Sequence, residues 1–255
     1  MKKVNRLPQL DLLEVVLIVA LASTVAWKVG QASADQASLL VRPLQQKFGS
    51  AHNSEHAEEW IIRDFFNDRR GGFFVDVGAN HYQHYSNTYY LDAVLGWSGI
   101  AVEPQREFAD GYVKNRPRTK FRPFFVSSAS NEQAKLYVLD SNRLVTSAQQ
   151  EFTSRYGAGV KEVPAITITL DDLLDAEGVT SVDFMSMDIE LWEPKALSGF
   201  AIERFRPALV CIEAHPEVRQ QILDYFALHK YVVTGKYLRM DTQNLYFMPQ
   251  TGPGL

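Results

Sequence analysis

The residues best able to do chemistry recur where short apolar runs stop. Residues 73–77 (FFVDV) carry Asp76 and turn through Gly78 to Asn80; residues 99–104 (GIAVEP) reach Glu103 near their end. Residues 182–189 (VDFMSMDI) close on Asp188 with Glu190 just beyond, and residues 208–213 (ALVCIE) close on Glu213, two positions before His215. Carboxylates placed this way suit two tasks. One is to accept both hydroxyls of a vicinal diol, since a carboxylate offers two acceptor oxygens. The other is to take a proton from a reacting hydroxyl, a task open to an imidazole with an ordinary pKa near ~6.5 as well. Glu103 is expected in the first role, and Asp188, Glu190 and His215 as bases or as positioners of an acceptor.

The turn VDVGAN lacks G-x-G-x-x-G, the pattern that seats a pyrophosphate on a helix N-terminus. It therefore suits a nucleoside without a bulky phosphate, with Gly78 where the backbone must bend and let a ligand approach. Glu103 follows Gly78 by 25 positions, close to the ~20-residue offset at which an acid accepts ribose hydroxyls. A ribose site without a pyrophosphate seat points to S-adenosylmethionine rather than NAD.

These residues need a frame, and the pattern supplies one. Strands are expected at residues 73–77, 99–104, 121–126, 182–189 and 208–213, with a further strand at 135–139 and another at 166–170 running into a helix at Asp171. Helices are expected at 60–66 (stopped by Gly71 and Gly72), around 87–95, at 106–115, from Pro194 and at 217–228; strands at 231–234 and 244–248 close the set. Such alternation predicts an α/β, doubly wound and mostly parallel sheet that binds ligands at its strands' carboxyl ends. Residues 141–159 lack periodicity and read as an acceptor lid.

Composition narrows the partners. The chain has 255 residues, 26 basic against 30 acidic for a net charge of −4, so no basic surplus exists to follow a nucleic acid backbone. Its one cysteine, Cys211, excludes an internal disulfide framework and reads as core. His52 and His56, and His81 and His84, are paired in sequence, but neither pair has a third ligand at convincing spacing, and no metal site is expected. The basic stretch Arg116, Arg118, Lys120 and Arg122 reads as a solvated helix-to-strand turn.

The N-terminus is of another kind. Residues 12–27 (LLEVVLIVALASTVAW) are apolar except for Glu14, Ser23 and Thr24, and with the run extended to Leu7 and Gly30 reach the ~20 residues that span a hydrocarbon core. Lys2, Lys3 and Arg6 precede the run, and Trp27 and Lys28 stand at its interfacial end. It reads as a single-pass anchor, as a signal peptide cleaved after Ala32-Ser33-Ala34, or as a helix lying in the interface or against a partner. The layout is then residues 1–34 anchor or signal peptide, 35–59 linker or short helix, 60–250 the α/β domain and 251–255 a tail. The basic flank favours a main domain outside; a cofactor made in the cytosol favours one facing inward, and the inward orientation is the expectation adopted.

FFVDVGAN, SNTYYLDAVLGWSGIAVEP, VPAITITLDDLL, VDFMSMDIELWEPKALSGF and CIEAHP, in that order, resemble the FkbM family of S-adenosylmethionine-dependent methyltransferases. The resemblance covers residues 72–249 and implies a class I methyltransferase (Rossmann-like) sheet whose last strand is antiparallel. It implies O-methylation of a sugar or other small hydroxyl-bearing acceptor, with Asp76, Gly78 and Asn80 forming the cofactor loop and Glu103 on the ribose. Ser128 to Ser130 would lie near the adenine, and Asp188 and Glu190 at the methyl-transfer end. Tyr82 stands where the family has a second glycine, and Ser186 and Leu191 where it has lysine and glycine around Asp188. Tyr82 is expected to crowd the methionine portion or to force a different loop. The other reading of these departures is a degenerate methyltransferase fold acting as an assembly subunit of a membrane complex, with a membrane-protein partner.

Overall fold

The computed structural model describes residues 36–250. The membrane segment expected within residues 1–34 and the tail from 251 lie outside the described residues; among those described, no helix is long and apolar enough to cross a membrane. Residues 36–48 form helix α1, whose Val41 and Leu44 are buried in one cluster with Trp60 and Ile61. Helix α2 (Glu58–Phe66) stops ahead of the expected glycine pair. Asn67 takes φ +50° there and its N–H closes onto the Arg63 carbonyl.

Strands β1 (Phe73–Val77) and β2 (Ser98–Val102) are buried along nearly their whole length, as uninterrupted apolar runs require of strands covered on both faces. Helix α3 (Tyr89–Ala93) between them is shorter than its pattern suggested. The preceding loop is held inward instead, because the fully buried Arg116 guanidinium donates to Ser86 Oγ and to the Thr88 carbonyl. That burial also corrects Arg116 from solvated turn to core. A 3₁₀ turn (Arg106–Phe108) leads into α4 (Ala109–Asn115).

The strand expected at 121–126 is two, β3 (Thr119–Arg122) and β4 (Phe125–Val126), which belong to different sheets. Pro123 divides them, since proline has no N–H to give a ladder. The chain then builds β5 (Gln133–Leu139), β6 (Asn142–Ser147), α5 (Gln150–Ser154) and β7 (Val160–Ile168). The stretch read as an irregular lid thus holds a strand and a helix. Helix α6 (Leu170–Ala176) starts at Thr169, whose Oγ1 accepts the Asp172 N–H at 3.0 Å. The remaining elements are β8 (Phe184–Met187), α7 (Glu193–Leu197), α8 (Ile202–Phe205), β9 (Leu209–Glu213), α9 (Arg219–Leu228), β10 (Tyr231–Val233) and β11 (Asn244–Pro249).

Seven strands form the main sheet in the order β10-β11-β9-β8-β1-β2-β3. β3, β2, β1, β8 and β9 run parallel, and β11 runs antiparallel to both β9 and β10. The chain moves outward from β1 through β2 to β3 and resumes on β1's other side with β8, so the order reverses at β1 and a crevice opens at the carboxyl ends there. Alternate residues feed the two faces: Val75, Met185 and Val210 enter one buried cluster, and Phe74, Phe184 and Cys211 enter the other with Trp60 and Trp97. The smaller sheet, β4-β7-β5-β6, ends in the antiparallel β5–β6 hairpin.

Candidate functional site

At the exit of β1, Gly78 holds φ +80°, and a Cβ there would fall 1.8 Å from the Asp188 carbonyl oxygen. The two loops that wall the crevice touch at a point only glycine allows. Asn80 follows at φ +45° and donates its backbone N–H to Glu103 Oε2 (3.2 Å), while the Gln105 N–H donates to Oε1 (2.9 Å). Each Glu103 oxygen thus accepts one backbone bond and retains acceptor capacity. The side chain is 4% exposed, and burial pushes its pKa to about 7 against the pull of those two backbone bonds. Asp76, also buried, accepts the Thr88 hydroxyl at 2.6 Å. Burial raises its pKa, opposed by Thr88 and by the charge of Arg116.

The exits of β8 and β9 bring a second group together. His215 Nε2 lies 3.2 Å from Glu213 Oε1 and 3.7 Å from Glu190 Oε2. The Glu213 hydrogen bond lifts the His215 pKa to about 8 against partial burial. Glu190 rises to about 8 through burial and the Glu213 charge, and Glu193, fully buried, to about 7 through burial. Asp188 is pushed well above the carboxylate range by its dense surroundings and by Glu213, Glu190 and Glu193. Asp188 is exposed to solvent, which weakens both the burial and the charge contributions.

Three adjoining spaces run along this edge, all lined by Leu144, Asp188 and Glu190. The first, about 110 Å³, is walled by Asp76, Gly78, Asn80 and Ser186; the second, about 30 Å³, by Glu103, Gln105, Phe125 and Ile189; the third, about 250 Å³, by Glu58, Tyr156, Glu213 and His215. Asp76, Gly78, Asn80, Glu103, Asp188, Glu190 and His215 therefore share one crevice. Ser128 lines none of these spaces, its neighbour Ser127 accepts the Trp192 indole N–H, and Ser130 bonds Asp172 and the Thr169 N–H at the start of α6.

Sequence reading missed the cover of the crevice. The Arg143 carbonyl accepts the Asn80 and Gln105 side-chain amides (3.3 and 3.1 Å), which brings β6 over Glu103. It also missed Glu193, whose place in the first turn of α7 carries no signal in the chain. Tyr82 does not crowd the site: it packs with Tyr112, Phe108 and Phe121 against Gly111 and lines none of the three spaces. Leu191 holds φ +75° where the family has glycine, and Ser186 accepts the Asn87 amide at 3.0 Å on the crevice wall.

A seven-stranded sheet with this order and one reversed strand, opening beside a buried acid at the end of β2, defines a class I methyltransferase fold. The chain matches the model of the Methyltransferase FkbM domain over residues 76–242 and belongs to that family. It is a methyltransferase, and its cofactor is S-adenosylmethionine.

Similar solved structures include a SAM-dependent O-methyltransferase from Thermotoga maritima (10% identity, 85% of this chain and 73% of that one, TM-score 0.43). Others are an O-methyltransferase from Bacillus cereus in complex with SAH (13%, 84% and 89%, 0.42) and a TehB-like SAM-dependent methyltransferase from Corynebacterium glutamicum (11%, 87% and 100%, 0.42). No curated protein matches the chain. Membership in the family rests on the sequence match.

The residues present fit the cofactor. Glu103 and Gln105 line the same space, and Gln105 Oε1 is buried there without a partner, so acceptors for a diol are available. Among the described residues no lysine or arginine lines the three spaces, which leaves acids to face a sulfonium and an ammonium group.

Proposed function

We propose that the protein O-methylates a small hydroxyl-bearing acceptor, a sugar or a similar compound, at a membrane. Glu103 would hold the ribose diol, with Asp76, Gly78 and Asn80 shaping the loop beside it and Phe125, Leu136 and Ile189 offering an apolar wall. The cofactor, when bound, supplies an electrophilic methyl group. The protein's own part is to exclude water under β6, align the acceptor oxygen and remove its proton. Asp188, Glu190 and His215 are the groups placed for that. The observation that carries the reading is the meeting of His215, Glu213 and Glu190 in the same crevice as Glu103.

The test is calorimetry with S-adenosylmethionine, followed by incubation with the methyl-labelled cofactor and a panel of free and nucleotide-linked sugars. Transfer of label into a base-stable ether supports the reading. No heat and no thermal stabilisation at millimolar cofactor would favour the assembly subunit instead. One observation favours that second reading: the space beside Glu103 has room for about two waters, less than a sugar ring, so Leu144 and the β5–β6 hairpin must lift before ribose can enter.

Residues 1–34 are assigned as a single-pass anchor, with residues 60–250 as the methyltransferase domain on the cytoplasmic side. The apolar run at 12–27 supports the anchor, and the cytosolic origin of the cofactor supports the orientation. The acceptor or a membrane-protein partner would then meet the domain at the bilayer; no nucleic acid partner is proposed. A reporter fused after Leu255 that works only outside the cell would reverse the orientation. A mature chain beginning at Asp35 would replace the anchor with a signal peptide.

A further inference from the structure

Proton transfer alone leaves part of the acidic cluster unexplained. Glu193 is 0% exposed; its Oε1 accepts the Ile189 N–H at 3.0 Å, and its Oε2 has no partner. Glu213 repeats the pattern, with Oε1 facing His215 Nε2 and Oε2 buried and unpartnered. A buried carboxylate oxygen left unmatched is costly.

The surroundings converge on the same point. One oxygen each from Asp188, Glu193 and Glu213 lie within 4.8 Å of one another, and so do ligand atoms of Glu190, Glu213 and His215. Atoms that share one hard cation at ~2.1–2.4 Å can be no further apart than twice that distance. Glu213 belongs to both sets and comes from β9, while Asp188 and Glu193 come from β8's exit and the start of α7. No lysine or arginine among the described residues lines the crevice, and His215 is the imidazole that touches the cluster, through Glu213 and Glu190.

We infer that this cluster is a binding site for one divalent cation, with Asp188, Glu193 and Glu213 as the oxygen ligands and Glu190 and His215 at its rim. Carboxylate oxygens select magnesium, calcium or manganese over softer ions, and a nearby imidazole tilts the set toward manganese. A cation there would also acidify an acceptor hydroxyl. That role rests on the methyl-transfer reading; the binding does not.

The experiment uses the full chain, stripped of metal with a chelator and titrated with Mn²⁺, free Mn²⁺ being read by its electron paramagnetic resonance signal. One saturable Mn²⁺ per chain is expected. Glu213→Gln is expected to weaken uptake about tenfold or more, as losing a ligand or its immediate support does. Glu193→Gln should do the same while keeping the Ile189 bond through its amide oxygen. Glu151→Gln, on the exposed face of α5, should leave uptake unchanged. Circular dichroism checks each variant's fold, and if one fails to fold the other decides. No saturable uptake, or uptake unaltered in a folded Glu213→Gln or Glu193→Gln chain, overturns the inference. Calorimetry with S-adenosylmethionine in chelator runs alongside: a chain that binds the cofactor but no Mn²⁺ refutes the cation site alone. One that binds Mn²⁺ but no cofactor upholds the cation site while refuting the methyl-transfer reading.

Discussion

Replacing Glu103 with glutamine is expected to move stability and cofactor binding in opposite directions. The carboxyl is 4% exposed and titrates at about 7 when folded, against 4.5 ordinarily. An acid raised in this way contributes fully to stability below pH 4.5, where it is neutral folded and unfolded, and that contribution is lost as pH rises through about 7. Holding the charge buried at pH 8 therefore costs about 3 kcal/mol. Glutamine removes the charge and still accepts the Gln105 N–H through its oxygen. Its NH₂ then faces the Asn80 N–H, which accepts no bond from it and costs about 1 kcal/mol.

The cofactor-free variant should thus be stabilised by about 2 kcal/mol at pH 8, with the gain gone near pH 4.5. Binding goes the other way. A diol donates two bonds to a carboxylate, and glutamine offers one neutral acceptor, a loss of about 1.5–3 kcal/mol or roughly ten- to a hundredfold in Kd. Urea denaturation at the two pH values and calorimetry with S-adenosylmethionine measure the two effects. An unchanged Kd, or a variant that is less stable at pH 8, would refute the assignment of Glu103.

Gly78→Ala must place a methyl 1.8 Å from the Asp188 carbonyl at φ +80°. It should cost several kcal/mol in urea denaturation and abolish cofactor heat. Arg116→Met takes the buried guanidinium from Asp92, which keeps Arg118 and the Thr119 hydroxyl, and releases the Thr88 loop that orients Asp76. A loss of about 1.5–3 kcal/mol is expected, read as a lowered melting temperature. Asp188→Asn should reduce kcat by more than tenfold while changing the cofactor Kd by less than about threefold; steady-state kinetics beside calorimetry separates the two. Equal effects on both would move Asp188 from the reacting end to the cofactor.

The main sheet was legible because β1, β2, β8 and β9 are covered on both faces and so appear as unbroken apolar runs ending on polar residues. The smaller sheet was legible only in part: the strand expected at 135–139 lies within β5 and the one expected at 166–170 overlaps the end of β7. β7 is exposed over most of residues 160–164, and its pattern emerges only from Ala165 onward; β6 has just Val145 and Ser147 buried, too little alternation to mark a strand. Pro123 was in view, yet the run FRPFFV read as one strand because apolar residues flank the break on the far side. Strand-end acids could be found in the chain since each closes a visible run. Glu193 could not, because its neighbours Asp188 and Glu213 reach it only once β8 and β9 lie side by side. The acidic cluster was out of reach for the same reason: ligand spacing along the chain carries no information about side chains brought together from separate elements.

The departures from the family pattern have different physical weight. Tyr82 is accommodated by turning its ring onto Gly111, where an added Cβ would meet it at 2.7 Å, so the first loop keeps its path. Leu191 holds the left-handed backbone that glycine would adopt freely, a strain of about 1–2 kcal/mol against which it buries its side chain to 5% exposure. Both residues are accommodated by their own local packing. Ser186 is of another kind. It stands on the crevice wall where the family pattern the chain resembles often carries lysine, and it brings no ammonium group to a surface that gathers Asp76, Asp188 and Glu190. Serine cannot return that charge, and the Asn87 amide it accepts is neutral. Beyond the His215 contact with Glu213 and Glu190, the acids are then neutralised by protons, in line with the raised pKa values of Glu190 and Glu193, or by a cation drawn from solution. Restoring the lysine separates these outcomes: Ser186→Lys should weaken Mn²⁺ uptake by placing a positive charge in the same crevice, whereas a cluster that only binds protons would show no Mn²⁺ uptake to lose.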